Sequence, residues 1–214
     1  MIFKVITVGM MGVNCYIMGD QTTGKGVVVD PGAEGSKIIE AIKKENLDIE
    51  YIFLTHGHFD HIGALDKVRE FTGAEVVIHE EGREYLNDPS LNLSGAFAHR
   101  GFTKTADQFV SDGALIKVGN LTFKVIHTPG HTMDGVNYYE ENHKVLFSGD
   151  NLFQNSIGRT DFPKGDFHLL VTGIKKKLLI LPEDVAVYPG HGASTTIGSE
   201  KRENPYLNED GWDV

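Results

Sequence analysis

Thr55-His56-Gly57-His58-Phe59-Asp60-His61 places three imidazoles and one carboxylate within six residues. Neutral imidazole and carboxylate are ligands for zinc and other first-row metals. A strand-like apolar run, 51–54, precedes the cluster, and Gly57 allows a tight turn after it. His56 and His58 can point to one side of an extended chain, whereas Asp60 and His61 enter a turn or a first helical turn, where side chains diverge. This segment can therefore serve two adjacent metals.

Three further candidate ligands follow, each in a glycine turn after an apolar run: His131 after Gly130, Asp150 after Gly149, and His191 after Gly190. A single structural zinc is the alternative, but such sites usually use thiolates, and the chain has one cysteine, Cys15. His127 lies close enough in sequence to compete with His131 as a ligand. The residues alone leave that choice open.

This ordered set of His and Asp turns resembles the metallo-β-lactamase superfamily over nearly the whole chain. Within it, the sequence is most similar to the small glyoxalase II-like (hydroxyacylglutathione hydrolase-like) proteins. The stretches that support this are Asn14-Cys15-Tyr16, Val29-Asp30-Pro31-Gly32, Gly158-Arg159-Thr160-Asp161 and Pro189-Gly190-His191-Gly192. The order of strands and helices predicts an α/β protein. The resemblance adds that the fold is a four-layer αββα sandwich.

The resemblance also implies a dinuclear centre. It assigns His56, His58 and His131 to the first metal, assigns Asp60, His61 and His191 to the second, and makes Asp150 the bridge. Asp60 and Asp150 are then the catalytic carboxylates, and Asp60 also orients the nucleophile. Two divalent ions are expected, with zinc first and iron or manganese also compatible with these ligands. Asp30 is expected to orient a ligand imidazole near the metals, although it could simply end a strand.

The implied activity is metal-dependent hydrolysis of a thioester such as S-lactoylglutathione. The alternatives are a persulfide dioxygenase with a single iron, a lactone or β-lactam hydrolase, and a metal-binding module without catalysis. Arg159 is a candidate substrate-binding residue, because a basic residue near this position contacts glutathione in the family. The alternative is that Arg159 is an exposed loop residue or forms a structural pair with Asp161.

The composition and charge of the chain limit the classes of binding partner that are expected. The formal net charge of -10 argues against nucleic-acid and anionic membrane partners. Neither a signal peptide nor a membrane-length apolar run is evident, so a cytoplasmic protein is expected. Residues 1–214 are expected to form one domain without the C-terminal glutathione-binding helical domain of full-length relatives. A small-molecule thioester is the expected partner, and a homodimer is compatible with the sequence.

Apolar periodicity predicts the main secondary structure. Helices are expected over 36–46, 63–71, 166–181 and 197–203, with a short one near 80–86. The segment 79–100 should otherwise be irregular, with His79 and His99 as ordinary surface or loop residues, and 150–165 should be a long loop. The alternation of strand and helix in the first half predicts a mostly parallel middle. Trp212 is expected to dock on the body.

Overall fold

The computed structural model describes residues 1–98 and 100–208. The expectations for His99 and Trp212 therefore concern residues outside the described part. The first half of the chain forms a six-stranded sheet in sequence order. Its strands are β1 (Ile2–Val8), β2 (Val13–Gly19), β3 (Lys25–Val29), β4 (Asp48–Phe53), β5 (Glu75–His79) and β6 (Gln108–Val110).

The pairing within this sheet changes from antiparallel to parallel. Strands β1, β2 and β3 pair antiparallel, and β3 through β6 pair parallel. Parallel strands need crossover connections. The helices of this half are α1 (Gly35–Glu45), α2 (Phe59–Ile62), α3 (Leu65–Thr72), α4 (Gly82–Asn87) and α5 (Ser94–Phe97). The parallel middle predicted from the sequence is therefore present.

The second half forms another six-stranded sheet, in the order β14-β13-β10-β9-β8-β7. Its strands are β7 (Leu115–Val118), β8 (Leu121–His127), β9 (Val136–Glu140), β10 (Val145–Gly149), β13 (Ala186–Pro189) and β14 (Thr195–Thr196). A small hairpin, β11 (Leu152–Phe153) and β12 (Ser156–Ile157), follows β10. The helices are α6 (Phe167–Gly173), which continues into a π-helical turn (Ile174–Leu178), α7 (Ile197–Glu203) and α8 (Pro205–Asn208).

Three apolar layers hold the sandwich together. Between the sheets, the ring of Phe53 packs on two other buried rings, with centroid distances of 5.2 Å to Phe123 and 4.4 Å to Tyr138. The outer face of the first sheet is covered by α1 and α3, and that of the second by α6 and its π-helical turn. Burial of apolar surface is the main favourable term in folding. The predicted αββα architecture is confirmed.

Four local expectations need correction. The helix expected over 63–71 is α3, which begins at Leu65 and ends at Thr72, and Gly63-Ala64 separates it from the short helix α2. The helix over 166–181 passes into a π-helical turn, and 150–165 contains the β11–β12 hairpin. His79 is 3% exposed rather than a surface residue, because it ends the buried strand β5 and its ring stacks on His127 at 3.8 Å. No helix within the described ranges is long and apolar enough to cross a bilayer.

Candidate metal centre

The loops after four strands carry all of the predicted ligands. His56, His58, Asp60 and His61 follow β4, and the last two lie in α2. The others follow β8, β10 and β13. The tertiary fold brings the ligand atoms together into three overlapping groups, each within 4.8 Å: His56, His58 and His131; His56, His61 and Asp150; and Asp60, His61 and His191. The residues that the sequence selected thus form one cluster.

The first group is a triangle of imidazole nitrogens. Nδ1 of His58 lies 3.1 Å from Nε2 of His56 and 3.1 Å from Nε2 of His131. All three side chains are buried. Burial lowers the pKa of His56 well below its usual value and lowers the pKa of His58 to about 3. Both imidazoles are therefore neutral at physiological pH, which is the form that binds a metal.

Asp150 lies between this triangle and the group of Asp60, His61 and His191, which is called the second group below. Its Oδ2 is 3.6 Å from Nε2 of His131 and 3.5 Å from Nε2 of His191. Its Oδ1 is 3.4 Å from Nε2 of His61. Asp60 completes the second group, since its Oδ2 is 3.4 Å from Nε2 of His191. One carboxylate therefore contacts histidines from both groups, as a bridging ligand would.

The outer nitrogens of three ligand histidines are held by acceptors. Nδ1 of His61 lies 2.9 Å from Oδ2 of Asp30, Nδ1 of His131 lies 2.7 Å from the carbonyl oxygen of Arg159, and Nδ1 of His191 lies 3.1 Å from that of Met11. Such partners place the proton on the outer nitrogen and leave the inner nitrogen free to ligate. The ring orientations are therefore set for metal binding.

Asp30 holds more than one part of this centre. Its carboxylate also accepts hydrogen bonds from the backbone N–H of Thr55 at 2.8 Å and from its hydroxyl at 2.6 Å. Asp30 is 2% exposed, and its φ of 49° lies in the left-handed region, which non-glycine residues seldom adopt. Strain of this kind persists where the surroundings over-determine it, often at functional sites. The expected contact of Asp30 with a ligand imidazole is present.

The charges in the cluster favour a cation. Burial alone would raise the pKa values of Asp60 and Asp150, but the neighbouring histidines, His61 first among them, together outweigh burial and lower both. Burial opposes protonation of His61, yet Asp150, Asp60 and Asp30 outweigh that effect and raise the pKa of His61 well above its usual value. The raised pKa of His61 reports the negative potential of these three carboxylates.

Two buried atoms at the centre support the same conclusion. Nε2 of His61 and Oδ1 of Asp150 have no hydrogen-bond partner among the described residues. An unsatisfied buried polar atom costs about 1–3 kcal/mol, so each needs an explanation. Both point into a set of imidazole and carboxylate donors that suits zinc, iron or manganese. The residues present therefore fit divalent metal ions.

Glycine lets the last ligand loop approach this closely. A Cβ on Gly190 would lie 2.2 Å from Oδ1 of Asp150 and 2.7 Å from Cε1 of His61. The same loop is tied to β2, where the side-chain amide of Asn14 donates to the Pro189 and Gly192 carbonyls at 3.2 and 2.9 Å. His191 is thereby fixed between the two sheets.

Sequence reasoning missed a buried carboxylate beside the centre. Asp134 is 0% exposed, and burial raises its pKa to about 7. The Thr132 hydroxyl and the Gly57 amide partly offset this shift, and a Cβ on Gly57 would lie 3.3 Å from Oδ2 of Asp134. Asp134 thus packs under the turn between His56 and His58. Its sequence signal is slight, because a lone Asp before a glycine also suits an ordinary turn.

The remaining candidates are placed as follows. His127 ends β8 and its Nε2 lies 2.8 Å from the Met133 carbonyl oxygen, so the structure groups His131 and not His127 with the ligand cluster. Arg159 lines a cavity above the cluster, but its guanidinium forms two hydrogen bonds to Asp161, at 2.7 and 2.6 Å. Of the two expectations for Arg159, the pair with Asp161 is present.

Comparison with known proteins agrees with this geometry. The model of the metallo-beta-lactamase superfamily matches residues 8–191, and the chain belongs to that superfamily. Its members bind divalent metals through His/Asp clusters, and the relatives of this chain include a hydroxyacylglutathione hydrolase and probable metallo-hydrolases.

Individual relatives match over nearly the full chain. Hydroxyacylglutathione hydrolase GloC of Haemophilus influenzae is 36% identical over 96% of this chain and 97% of its own length. The crystal structure of BLEG-1 B3 metallo-beta-lactamase superposes with a TM-score of 0.92 at 43% identity, over 97% of this chain and 100% of that one. The crystal structure of TTHA1623 in a di-iron-bound form has a TM-score of 0.84 at 32% identity, over 95% and 100% of the chains.

Proposed function

We propose that the protein is a dinuclear metallohydrolase that cleaves acyl thioesters, with S-lactoylglutathione as the reference substrate. His56, His58 and His131 would hold one divalent ion, and Asp60, His61 and His191 the other. Zinc is the proposed metal, because a site of imidazoles and carboxylates suits it and it brings no redox chemistry. The similarity to GloC, a hydroxyacylglutathione hydrolase, supports the thioester class.

One observation carries the proposal of two metals. The Asp150 carboxylate lies 3.6 Å from the nitrogen of His131 in one group and 3.5 Å from that of His191 in the other. A mononuclear site would leave the second group, which includes the buried nitrogen of His61, without a cation. The similarity to a structure in a di-iron-bound form also favours two ions.

The chemistry then follows from the placement of the side chains. Bound divalent ions polarise a carbonyl group and lower the pKa of water, so that a nucleophile is present at neutral pH. Asp60 lines the cavity, and its lowered pKa keeps it ionised, so its carboxylate can accept a hydrogen bond from the attacking water. The water oxygen adds to the acyl carbon and the C–S bond breaks. The products are a carboxylic acid and a thiol, which takes up the proton that the water loses.

A second candidate reaction is hydrolysis of a lactone or β-lactam by the same centre. The structural similarity to BLEG-1, a B3 metallo-beta-lactamase, favours it. The attack on a carbonyl carbon is the same, and only the leaving group differs. A β-lactam assayed in parallel with the thioester ranks the two by kcat/KM.

The test is hydrolysis of S-lactoylglutathione by the zinc-loaded protein, a chelated sample and the Asp60→Ala variant. We expect turnover that is lost in the chelated sample and falls by at least about 100-fold in the variant, the loss typical for one catalytic group. Asp66→Ala is the matched control, since Asp66 is an exposed carboxylate on α3 that pairs with Lys104. Absence of turnover on thioesters by the loaded protein contradicts the proposal, and oxygen uptake with a persulfide and one iron favours the dioxygenase.

A further inference from the structure

A cavity of about 440 Å³ opens directly above the candidate metal centre. This volume lies within the range of about 300–1,000 Å³ that is typical of small-molecule sites. Its floor includes His58, Asp60 and Asp150. A molecule in the cavity would therefore contact the metals, and the walls decide which molecules enter.

The walls are largely aromatic and aliphatic. They include Phe59, Phe97, Leu93, Phe153, Ile157 and Phe162. Phe97 stacks on Phe59 with centroids 5.9 Å apart and is 61% exposed, so its ring has a free apolar face at the mouth. Phe162 lies beside two of the ligands, 5.5 Å from the ring of His58 and 6.2 Å from that of His131. A substrate with an apolar acyl group would cover this surface.

Only one lysine or arginine lines the cavity among the described residues, and it is Arg159. An arginine can bind a partner through the edge or the face of its guanidinium, and in Arg159 both are already occupied. The edge of the guanidinium forms the two hydrogen bonds to Asp161, and its face lies 4.1 Å from the ring centroid of Phe162. An Arg that binds a substrate carboxylate uses the same edge. Asp161 also cancels its positive charge at the mouth.

Glutathione carries two carboxylates, and both need cationic or hydrogen-bonding partners when bound. The cavity offers Arg159 alone, which is already paired, and the net charge of -10 disfavours anions in general. An uncharged thiol part meets neither obstacle. The apolar walls therefore favour an apolar acyl group, and the charges favour an uncharged thiol part.

We propose that the cavity selects thioesters with an apolar acyl group and an uncharged thiol part, and that Asp161 sets this charge selectivity by holding Arg159. The inference rests on the proposed thioester hydrolysis and specifies its substrate class. The pair is exposed, with side-chain exposures of 60% for Arg159 and 66% for Asp161. Solvent weakens such pairs, so freeing Arg159 changes selectivity severalfold and not by orders of magnitude.

The experiment compares four thioesters on the zinc-loaded protein. Lactoyl and phenylacetyl groups are each joined to glutathione and to N-acetylcysteamine, which is uncharged. We expect kcat/KM to be highest for the phenylacetyl thioester of N-acetylcysteamine and at least about 10-fold lower for the glutathione thioester of the same acyl group. Asp161→Asn is expected to raise kcat/KM on both glutathione thioesters by about 5-fold, which corresponds to the upper value for an exposed ion pair. The kcat/KM values for the two N-acetylcysteamine thioesters should not change.

Asp184→Asn is the matched control. Asp184 is also an exposed carboxylate paired with a cation, Lys144, but it lies just before β13, whereas the centre follows the other end of that strand. We expect this variant to leave all four values unchanged. Preference for glutathione thioesters in the unmodified protein overturns the inference and leaves the proposed function standing, as does an Asp161→Asn effect that is equal on all four substrates. Absence of turnover on all four overturns both.

Discussion

Replacing Asp30 with asparagine tests how the centre is oriented, because it changes one atom and keeps the size of the side chain. In the protein, Oδ2 of Asp30 accepts from Nδ1 of His61 at 2.9 Å, and Oδ1 accepts from the Thr55 N–H at 2.8 Å. An amide nitrogen at the Oδ2 position would donate to His61 instead. The proton of His61 then moves to Nε2, the atom that faces Asp150 at 3.4 Å. A flipped amide would not restore the original contacts, because its NH₂ group would then face the Thr55 N–H, which is also a donor.

The size of the effect follows from the contacts that are lost. A hydrogen bond to a charged group contributes about 1.5–3 kcal/mol, and loss of a partner behind a ligand typically lowers metal affinity about 10–100-fold. Asp30→Asn should therefore weaken the site that contains His61 by 10–100-fold. The triangle of His56, His58 and His131 should change less, because among these three only His56 comes near Asp30, through the hydroxyl of Thr55.

Calorimetric titration of the metal-free protein with Zn²⁺ measures this directly. We expect one of the two binding steps to weaken while the circular dichroism spectrum is retained. Asp20→Asn is the matched control, since Asp20 is 7% exposed and also accepts from backbone and side chain, at Thr22, Thr23 and Asn120, but lies outside the ligand cluster. Equal zinc affinities for Asp30→Asn and the unmodified protein would show that Asp30 does not orient His61 for metal binding.

Two further predictions follow. The folded-state pKa of Asp134 is raised to about 7 from 3.8, so this carboxyl contributes stability below pH 4 that is lost between pH 4 and 7, on the order of 4 kcal/mol. Urea unfolding of the metal-free protein at pH 5 and pH 8 should show that Asp134→Asn loses less stability than the unmodified protein over this interval, and equal losses would contradict the assignment. Gly190→Ala places a Cβ 2.2 Å from Oδ1 of Asp150. Overpacking typically costs about 1–3 kcal/mol, so zinc affinity should fall about 5–150-fold, whereas unchanged zinc binding would show that the loop can shift to make room.

The ligand cluster was predictable because each member carries a local signal. His56, His58 and His191 follow apolar strands in glycine turns, and the pattern within six residues has no ordinary structural use. The layers of the fold were predictable as a family property, and strand order supported only the α/β class. Local sequence signals therefore located the site but did not predict the sandwich.

The rest depends on contacts between distant residues. The polar residue Asn14 lies in an otherwise apolar strand, but its bonds to Pro189 and Gly192 span more than 170 positions of sequence. The stacking of His79 on His127 joins the two sheets, which no local pattern encodes. The π-helical turn after α6 likewise interrupts a periodicity that reads as one continuous helix. Tertiary packing decides such features.

The dinuclear centre is tested by the number of zinc ions that support thioester hydrolysis. Metal-free protein is titrated with Zn²⁺, and S-lactoylglutathione hydrolysis is followed at each ratio of metal to protein. We expect two equivalents bound per chain and activity that depends on both, with His191→Ala limited to one. One equivalent bound by the unmodified protein, or occupancy that His191→Ala leaves unchanged, would contradict the dinuclear assignment.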